Sequence, residues 1–314
     1  MRVLGLDTSN YTTSLAVFDG REGTNVGRLL SVRPGELGLR QSDALFQHVK
    51  RLPGLIATLR EEGALGSAIA AVGASTRPRA VEGSYMPCFL AGEGHGRAAA
   101  GLLGVPFYPL SHQQGHLAAA AWSAGRLELL DAPFLAWHLS GGTTELLYVE
   151  PEGASVRARA IGGTSDISAG QLIDRTGVLL GLPFPAGKAM DALSGQADVD
   201  LAYPVKRNDL TFSLSGMENQ VKKLLEAGEK PANIARFTLD TVTDIVLRVT
   251  REAQRRYPGL PVLCSGGVAS NTRLRAALGE SCGALFAQPQ YAADNAMGTA
   301  ILTWRALRLG EGTA

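Results

Sequence analysis

The feature that most constrains the fold is a pattern that the chain repeats at an offset of 132 residues, the difference between positions 140 and 8. Residues 3–18 form two apolar runs around a short polar loop, and residues 135–149 follow the same plan around the loop SGGTT. Placing Thr8 on Ser140 aligns the two segments. Two apolar runs around a tight polar turn predict a β-hairpin. The repeat therefore predicts a duplicated fold in which each half contains such a hairpin.

A third loop of similar composition joins a short apolar strand at 261–264 to a helix, and it reads SGGVASN from Ser265 to Asn271. A strand, a glycine turn and a helix N-terminus together form a common binding site for phosphate groups and other anions. Glycine also lets the backbone approach a ligand closely. We therefore predict that Ser140, Gly141 and Gly142 lie against the phosphate of a nucleotide, whereas a single SGG taken alone would be an ordinary hairpin turn.

Helices and strands alternate between these loops. Pro53 predicts a break or kink in a helix that begins near Ser42, and the stretch 181–195, rich in proline and glycine, predicts a loop. The remaining apolar patterns predict strands at 69–74 and 106–110 and helices near 113–123, 169–180, 215–227, 231–256, 271–278 and 294–309.

The expected architecture is an α/β fold of two facing lobes with the ligand in a central cleft, rather than a simple doubly wound sheet. Lobe I would comprise residues 1–108, completed by the C-terminal helix at 294–314, and lobe II would comprise residues 109–293. A chain of 314 residues is long enough for two domains or one duplicated fold and for a large core.

Net charge, cysteine spacing and the length of apolar runs exclude several classes of protein. Thirty basic against 29 acidic residues leave a net charge of +1, which excludes a wide basic surface that binds nucleic acid unaided. The three cysteines lack CxxC spacing, which favours a reducing compartment over a disulfide framework. No apolar run approaches the roughly 20 residues of a membrane span. We expect a cytoplasmic protein that does not enter a membrane.

His112 and His116 are spaced to bind one cation together. If their segment is helical, residues four apart present both imidazoles on one face. Asp294 would complete a set of two histidines and one carboxylate that suits iron or zinc and leaves positions open for water or substrate oxygens. The alternative is an ordinary surface pair of histidines. Gln113 follows His112, so the glutamate of a metalloprotease HExxH motif is absent from this pair.

Eight segments, in order, resemble one family: VLGLDTS, SHQQGH, LSGGTTEL, the block from Asp166 to Asp174, LGLPFPAG, TFSLSG, SGGVASN and YAADN. The family is that of the tRNA adenosine threonylcarbamoyltransferase, TsaD, also called the glycoprotease family. The resemblance implies an actin-like (ASKHA) fold and transfer of a threonylcarbamoyl group from its adenylate to an adenine amine beside the anticodon. It also implies one divalent metal held by His112, His116 and Asp294.

The same resemblance implies which residues contact the adenylate. Asp174 would hold the ribose hydroxyls, Gly187 would offer a backbone contact, and Asn271 would touch the adenosine end. The position of Asn271 also predicts that it caps the helix after the third loop. The full set is His138, Leu139, Ser140, Gly141, Gly142, Asp174, Gly187 and Asn271. No residue is an evident general base, so positioning and electrostatics would supply most of the rate. The implied partners are tRNA, reached through other proteins, and a second copy of the chain or a TsaB-like paralogue.

Four departures from the family pattern keep alternatives open. The first loop, Ser9-Asn10-Tyr11-Thr12-Thr13, lacks an acidic pair, Thr143 stands in place of a histidine, and Glu218 in place of a lysine. Arg77-Pro78-Arg79 replaces a Gly-Pro-Gly turn, and its guanidinium groups suit an anionic substrate group. The alternatives are a paralogous carbamoyl or acyl transferase with another acceptor, or a non-catalytic partner subunit of a tRNA-modifying complex.

Other conspicuous residues are interpreted as structural. We expect His48, His95 and His138 to be satisfied within helices and strands rather than to ligate a metal, with His138 contributing to the ligand pocket only through its backbone. A basic run near the end of one helix is expected to be a solvated face, with contact to tRNA phosphates as the less favoured interpretation. Its members are Arg248, Arg251, Arg255 and Arg256.

Overall fold

The repeated pattern folds as two antiparallel β-hairpins, as predicted. In the computed structural model, which describes residues 1–9, 11–32, 39–66 and 68–310, strand β1 (Arg2–Asp7) pairs with β2 (Thr12–Phe18). Strand β6 (Phe134–Leu139) pairs in the same way with β7 (Thr144–Glu152). In both hairpins, the polar loop connects the end of the first strand to the start of the second.

The chain divides into two compact units. The first comprises Met1–Ala132, Glu150–Ala158 and the residues from Ala293 onwards, and the second comprises Pro133–Val149 and Arg159–Ala292. The first unit therefore extends beyond the boundary predicted at residue 108. The reason is that the strand at 107–111, which contains this boundary, pairs with the first sheet, and the helix that follows packs against the C-terminal helix.

The first unit is built on a sheet whose described strands run in the order β3-β2-β1-β4-β5. Its further strands are β3 (Gly23–Leu29), β4 (Ile69–Arg77) and β5 (Phe107–Ser111). Its helices are α1 (Gln41–Glu61), α2 (Phe89–Leu103), α3 (His112–Ser123) and α9 (Met297–Leu309).

Alternation along β1 explains how this sheet is covered on both faces. Leu4 and Leu6 enter a hydrophobic core with residues of α1 and α2. Gly5 points the other way, where a Cβ would lie 2.5 Å from the backbone nitrogen of Ala300 in α9. Successive side chains of a strand face opposite sides. The sheet is therefore covered by α1 and α2 on one face and by α9 on the other, and α3 packs against α9.

The second unit repeats this topology. Its described strands run in the order β12-β11-β6-β7-β8-β10-β9, with β11 parallel to both β6 and β12. The additional strands are β8 (Ser155–Thr164), β9 (Arg207–Asn208), β10 (Thr211–Phe212), β11 (Val262–Ser265) and β12 (Leu285–Phe286). The order β8-β7-β6-β11-β12 corresponds to β3-β2-β1-β4-β5 of the first unit.

Helices α4 (Ala169–Leu179), α5 (Gly187–Ser194), α6 (Ser215–Glu226), α7 (Pro231–Arg256) and α8 (Thr272–Cys282) complete the second unit. Apolar residues of α7, including Val242, Ile245 and Val249, share a core with Trp137 and Leu139 of β6. Burial of several such side chains at roughly 1.5–3 kcal/mol each is the main favourable term in forming this core.

Three local predictions differ from the structure. Helix α1 continues through Pro53 over its whole length. The stretch 181–195 contains α5 rather than only loop. Helix α9 begins at Met297, not at 294, because the Asn295 side chain accepts a hydrogen bond from the Met297 N–H and so ends the preceding loop. Among the described helices, none is both long enough and apolar enough to cross a membrane.

Candidate functional site

The first candidate site begins with a capping box that fixes the start of α3. The Ser111 hydroxyl accepts a hydrogen bond from the Gln114 N–H at 3.2 Å, and the Gln114 side chain accepts one from the Ser111 N–H at 2.9 Å. Such reciprocal bonds satisfy N–H groups that a helix end leaves unpaired. His112 is the first residue of this helix, so the capping box sets the direction in which its imidazole leaves the backbone.

His112, His116 and Asp294 lie together, as predicted. The Nε2 atoms of the two histidines are 2.8 Å apart, and Asp294 Oδ1 lies 3.5 Å from His112 Nε2 and 3.3 Å from His116 Nε2. Ligands bound to one zinc or iron ion at about 2.0–2.2 Å are about 3 to 3.5 Å apart. The three donor atoms therefore have the spacing and the chemistry of a group that could hold one metal ion.

The approach of α3 and α9 makes this grouping feasible. A Cβ at Gly298 would lie 1.7 Å from the carbonyl oxygen of Gly115, so only glycine permits the two helices to pack this closely. The segment before α9 is anchored by the Ala296 N–H, which donates to the Ser14 hydroxyl at 3.0 Å. These contacts place Asp294, just ahead of α9, against the histidines of α3.

Asp7 contacts the candidate metal-binding group through His112. It is the last residue of β1, is 1% exposed, and its Oδ2 lies 2.8 Å from His112 Nδ1. The same oxygen accepts a hydrogen bond from the Ser75 hydroxyl at 2.8 Å, and Oδ1 accepts one from the Ser9 N–H at 2.8 Å. A carboxylate at Nδ1 keeps the proton on that nitrogen and leaves Nε2 available for a metal.

The electrostatics of this group favour a positive charge at its centre. Burial by itself opposes protonation of His112, but the carboxylates of Asp7 and Asp294 outweigh it and raise the pKa of His112 to about 10. Burial likewise opposes ionisation of Asp294, yet hydrogen bonds from His112 and His116 hold its pKa below the usual value. Without a metal, a proton on His112 supplies the charge that a cation would otherwise bring.

The second candidate site is the hairpin turn between β6 and β7. The Ser140 N–H donates to the Thr143 carbonyl at 2.8 Å, and the Ser140 hydroxyl accepts from the Thr143 N–H at 3.1 Å. Gly141 and Gly142 are exposed, and a Cβ at either would meet nothing within 4 Å. The turn is thus closed by its own hydrogen bonds and presents two glycine peptides to open space.

Helix α4 begins directly against this turn. Ser168 donates from its hydroxyl to the Gly141 carbonyl at 2.6 Å, and the Ala169 N–H donates to the Thr144 hydroxyl at 2.8 Å. A Cβ at Gly170 would lie 2.5 Å from the Ser140 carbonyl oxygen, so glycine is required there. The N-terminus of a helix beside exposed glycine peptides is an arrangement that suits a phosphate group.

Asp174 and Gly187 also lie together. Asp174 is one helical turn beyond Gly170, on the same face of α4, and its Oδ1 accepts a hydrogen bond from the Ala186 N–H at 2.8 Å. Gly187 is the next residue and begins α5. This contact brings two of the residues predicted to bind adenylate together, and it uses one of the two carboxylate oxygens of Asp174.

The third loop packs its first glycine against the hairpin. Gly266 has φ +94°, and a Cβ there would lie 2.2 Å from the Leu139 carbonyl oxygen, whereas Gly267 is exposed with open space before it. Asn271 caps α8 as predicted, since its Oδ1 accepts from the Leu274 N–H at 3.0 Å. Leu139 is fully buried, and its carbonyl oxygen lies against Gly266.

Sequence reasoning missed two acidic residues. Asp7 ends an apolar run, and a charged residue at that position was the sequence signal that could have identified it. Asp191 of α5 accepts hydrogen bonds from Asn271 Nδ2 at 2.9 Å and from the Thr272 hydroxyl at 3.0 Å. It therefore joins α5 to the start of α8 and orients the Asn271 side chain.

The three remaining histidines lie outside the metal-binding group. His48 is buried with Nδ1 2.8 Å from the Thr13 hydroxyl, and burial lowers its pKa to about 4. His95 Nδ1 lies 2.8 Å from the Ala91 carbonyl, and His138 is opposite Ser265 in the sheet. Asn10, part of the altered first loop, is outside the described residues.

Ion pairs account for much of the remaining charge of the second unit. In the basic run, Arg248 pairs with Asp244, Arg255 with Glu252, and Arg256 with both Glu252 and Asp209. Glu218, at the position where the resemblance expects a lysine, pairs with Arg175 at 2.7 Å and with Lys222 at 3.1 Å. The basic run is therefore largely neutralised by neighbouring carboxylates.

Comparison with known proteins now identifies the family. The model of one family, TsaD, described as tRNA N6-adenosine threonylcarbamoyltransferase, matches residues 38–301, which is most of the chain. This chain belongs to the TsaD family. The TsaD family is a family of tRNA-modifying transferases.

Solved structures agree on the fold at low sequence identity. Component A of the (R)-2-hydroxyglutaryl-CoA dehydratase of Acidaminococcus fermentans is 16% identical with a TM-score of 0.58, over 98% of this chain and 99% of that chain. The activator of the 2-hydroxyisocaproyl-CoA dehydratase from Clostridium difficile, with bound ADPNP, is 14% identical with a TM-score of 0.53, over 100% and 99%.

Full-length HypF in its phosphate- and nucleotide-bound form is 13% identical with a TM-score of 0.63, over 99% of this chain but only 56% of that one. The chain thus spans little more than half the length of HypF. These likenesses show that this member of the TsaD family has the actin-like ATPase fold, as predicted.

Proposed function

We propose that this protein transfers a threonylcarbamoyl group from its adenylate to the N6 amine of a tRNA adenosine, with a divalent cation bound by His112, His116 and Asp294. The observation that carries the proposal is the convergence of three donor atoms within 3.5 Å of one another, backed by the buried carboxylate of Asp7. Nitrogen and oxygen donors of this kind suit zinc or iron.

The cation, when bound, would polarise the carbonyl of the transferred group. Asp7 keeps the His112 proton on Nδ1, so that Nε2 faces the cation. In the second unit, we assign the phosphate of the adenylate to the peptides of Gly141 and Gly142 and to the start of α4, with Ser140 shaping the turn. His138 and Leu139 would contribute through their backbone.

We assign the ribose hydroxyls to the free carboxylate oxygen of Asp174, with Gly187 beside it. Asn271, oriented by Asp191, would face the adenosine. In the reaction, the amine nitrogen forms a bond to the carbonyl carbon, the bond from that carbon to the phosphate oxygen breaks, and the amine proton passes to solvent. Adenylate leaves as a monophosphate, and positioning lowers the barrier.

A related candidate is a transferase of the same type with a different acceptor. It is favoured by the neutralisation of Arg248, Arg255 and Arg256, which leaves that face with little attraction for tRNA phosphates. Under our proposal, tRNA is recruited with a partner protein, either a second copy or a TsaB-like paralogue. A purely structural subunit would not need a metal-binding group of this kind.

The decisive experiment is complementation of a strain that lacks the threonylcarbamoyltransferase, followed by mass spectrometry of tRNA nucleosides. The wild-type chain is expected to restore threonylcarbamoyladenosine. His116→Ala is expected to fail, whereas the matched variant His95→Ala, which removes a histidine outside the group, is expected to succeed. A wild-type chain that is expressed and metal-loaded but restores no modified nucleoside would favour the different acceptor.

A further inference from the structure

One exposed arginine of the first unit is linked through its backbone to the helix that carries both histidines of the candidate metal-binding group. Strand β4 ends at Arg77, whose register partner in β5 is Ser111, the residue that caps α3 immediately before His112. The next residue, Pro78, accepts a hydrogen bond on its carbonyl from the Gln113 N–H at 3.0 Å. The backbone of Arg77 is therefore fixed to the start of the helix that carries both histidines.

A bulge at the end of β4 sets the position of this arginine. The register between β4 and β5 shifts between Ser75 and Arg77, and the intervening Thr76 hydroxyl donates to the Leu110 carbonyl at 3.2 Å. Bulges often redirect side chains beside active sites. As a result, Ser75 is buried and contacts Asp7, while Arg77 is exposed.

The guanidinium group of Arg77 has no acidic partner in the part of the chain that the structure describes. Across the described residues, no carboxylate forms an ion pair with its guanidinium group. The two acidic groups nearest the metal-binding histidines are already engaged, Asp7 with His112 and Ser75, and Asp294 with both histidines. An exposed guanidinium on a backbone fixed to the start of α3 is available to an anionic group of a ligand, and its planar fork matches a carboxylate.

We propose that Arg77 binds the carboxylate of the acyl group and thereby selects acyl groups derived from an amino acid. The inference rests on the proposed function, which assigns the adenylate phosphate to the glycine turns of the second unit and so leaves the carboxylate as the anion for the first. A carbamoylated amino acid carries its carbonyl and its carboxylate only a few bonds apart. Arg77 can thus hold the carboxylate while the carbonyl faces the cation, whereas a plain carbamoyl group offers it nothing to bind.

The test measures binding of two small probes to the zinc-loaded protein by calorimetry or ligand-observed NMR. The probes are N-carbamoyl-L-threonine and N-carbamoyl-L-threoninol, in which a hydroxymethyl group replaces the carboxylate. We expect wild type to bind the acid at least about tenfold more tightly than the alcohol, the scale of one charge-assisted bidentate contact. Arg77→Gln is expected to abolish this ratio, and Arg77→Lys to retain only part of it.

A matched control replaces another exposed arginine of the same sheet. Arg28→Gln on β3 removes the same charge and is expected to leave the ratio unchanged. Zinc content per chain is measured for every variant and is expected to equal that of wild type, which shows that the metal-binding group is intact. The ratio of acid to alcohol is a readout that a merely structural role of Arg77 would not move.

Three results would overturn the inference: an unchanged ratio in Arg77→Gln, no binding of either probe by wild type, or displacement of the acid by an equal concentration of inorganic phosphate in wild type only. The last would identify a phosphate site. Failure of the proposed function is seen separately, because an Arg77-dependent ratio combined with no restored nucleoside in the complementation would retain the carboxylate site and reject the tRNA acceptor.

Discussion

The two hairpins share one topology but differ in the residue that ends the first strand of each. The offset that aligns Thr8 with Ser140 also aligns Asp7 with Leu139, the last residues of β1 and β6. In the first unit this position holds a buried carboxylate that contacts His112. In the second it holds a leucine that is fully buried.

The strands next to β1 and β6, which are β4 and β11, also differ at equivalent positions. Leu6 pairs with Ala74, and His138 with Ser265, so the residues that follow, Ser75 and Gly266, occupy equivalent places. Ser75 donates a hydrogen bond to Asp7, whereas Gly266 brings its backbone against Leu139 with no room for a Cβ. Side chains thus fill this position in the first unit, whereas in the second unit the backbones of Gly266 and Leu139 pack directly against each other.

Loss of a metal ligand should have the largest effect. Asp294→Ala or His116→Ala is expected to lower zinc affinity at least about a hundredfold, because one of three protein ligands is lost. Competition with a coloured chelator measures this. His95→Ala is the control and should bind zinc like wild type; equal affinity in all three variants would place the ion elsewhere.

The close backbone approach of the second unit predicts the next largest effect. Gly266→Ala is expected to cost about 3 kcal/mol of unfolding free energy, from the clash with Leu139 and from a positive φ that alanine disfavours. The neighbouring Gly267→Ala meets no atom and should stay within about 0.5 kcal/mol of wild type. Urea unfolding of the two variants compares them directly, and equal losses would contradict the assigned role of Gly266.

Substitutions at the two aligned positions, Asp7 and Leu139, should affect zinc affinity and stability separately. Asp7→Asn is expected to lower zinc affinity about tenfold, since the supporting charge on His112 is removed. Leu139→Ala should cost about 2–5 kcal/mol of stability by leaving a cavity, with no change in zinc affinity of the folded protein. Zinc titration and urea unfolding of both variants would show whether the two positions have diverged as we infer.

The wild-type protein should also show a dependence of zinc affinity on pH. Because the pKa of His112 is raised from 6.5 to about 10 in the metal-free protein, a cation must displace its proton. Zinc affinity should therefore rise about tenfold per unit between pH 6.5 and 8.5, with proton release measurable by calorimetry in buffers of different ionisation enthalpy.

The same shift predicts the stability of the metal-free protein. The folded pKa lies above the unfolded value, so protonated His112 stabilises the fold fully below about pH 6.5, and this contribution is lost as the pH rises through about 10. Unfolding of wild type and His112→Gln across this range should differ most at low pH. Parallel curves would show that His112 is not the titrating group.

Much of the fold could be predicted because its signals are local. The period of apolar residues predicted α7 over its observed range, and the polar turns located both hairpins. The spacing of His112 and His116 needs only one helix, so the sequence sufficed to pair them. Asn271 was likewise predicted as a helix cap from its position alone.

What could not be predicted depends on contacts between distant parts of the chain. Asp7 meets His112 only because β1, β4 and β5 lie side by side and α3 follows β5. No periodicity reports that Gly266 faces Leu139, and the extent of the first unit depends on which sheet β5 joins. Sequence patterns do not predict the role of a residue where contacts between distant segments decide that role.

The first unit is assembled from three separate stretches of chain, and this has a consequence for its synthesis. Gln114 of α3 donates to the Val156 carbonyl and Arg305 of α9 to the Ala154 carbonyl, so residues made later close over those made first. A nascent chain emerging from the ribosome has both histidines long before it has Asp294 or the helix that shields Gly5 and Gly73. Binding of one ion by all three residues would therefore have to wait until Asp294 has been made and α9 covers the first sheet.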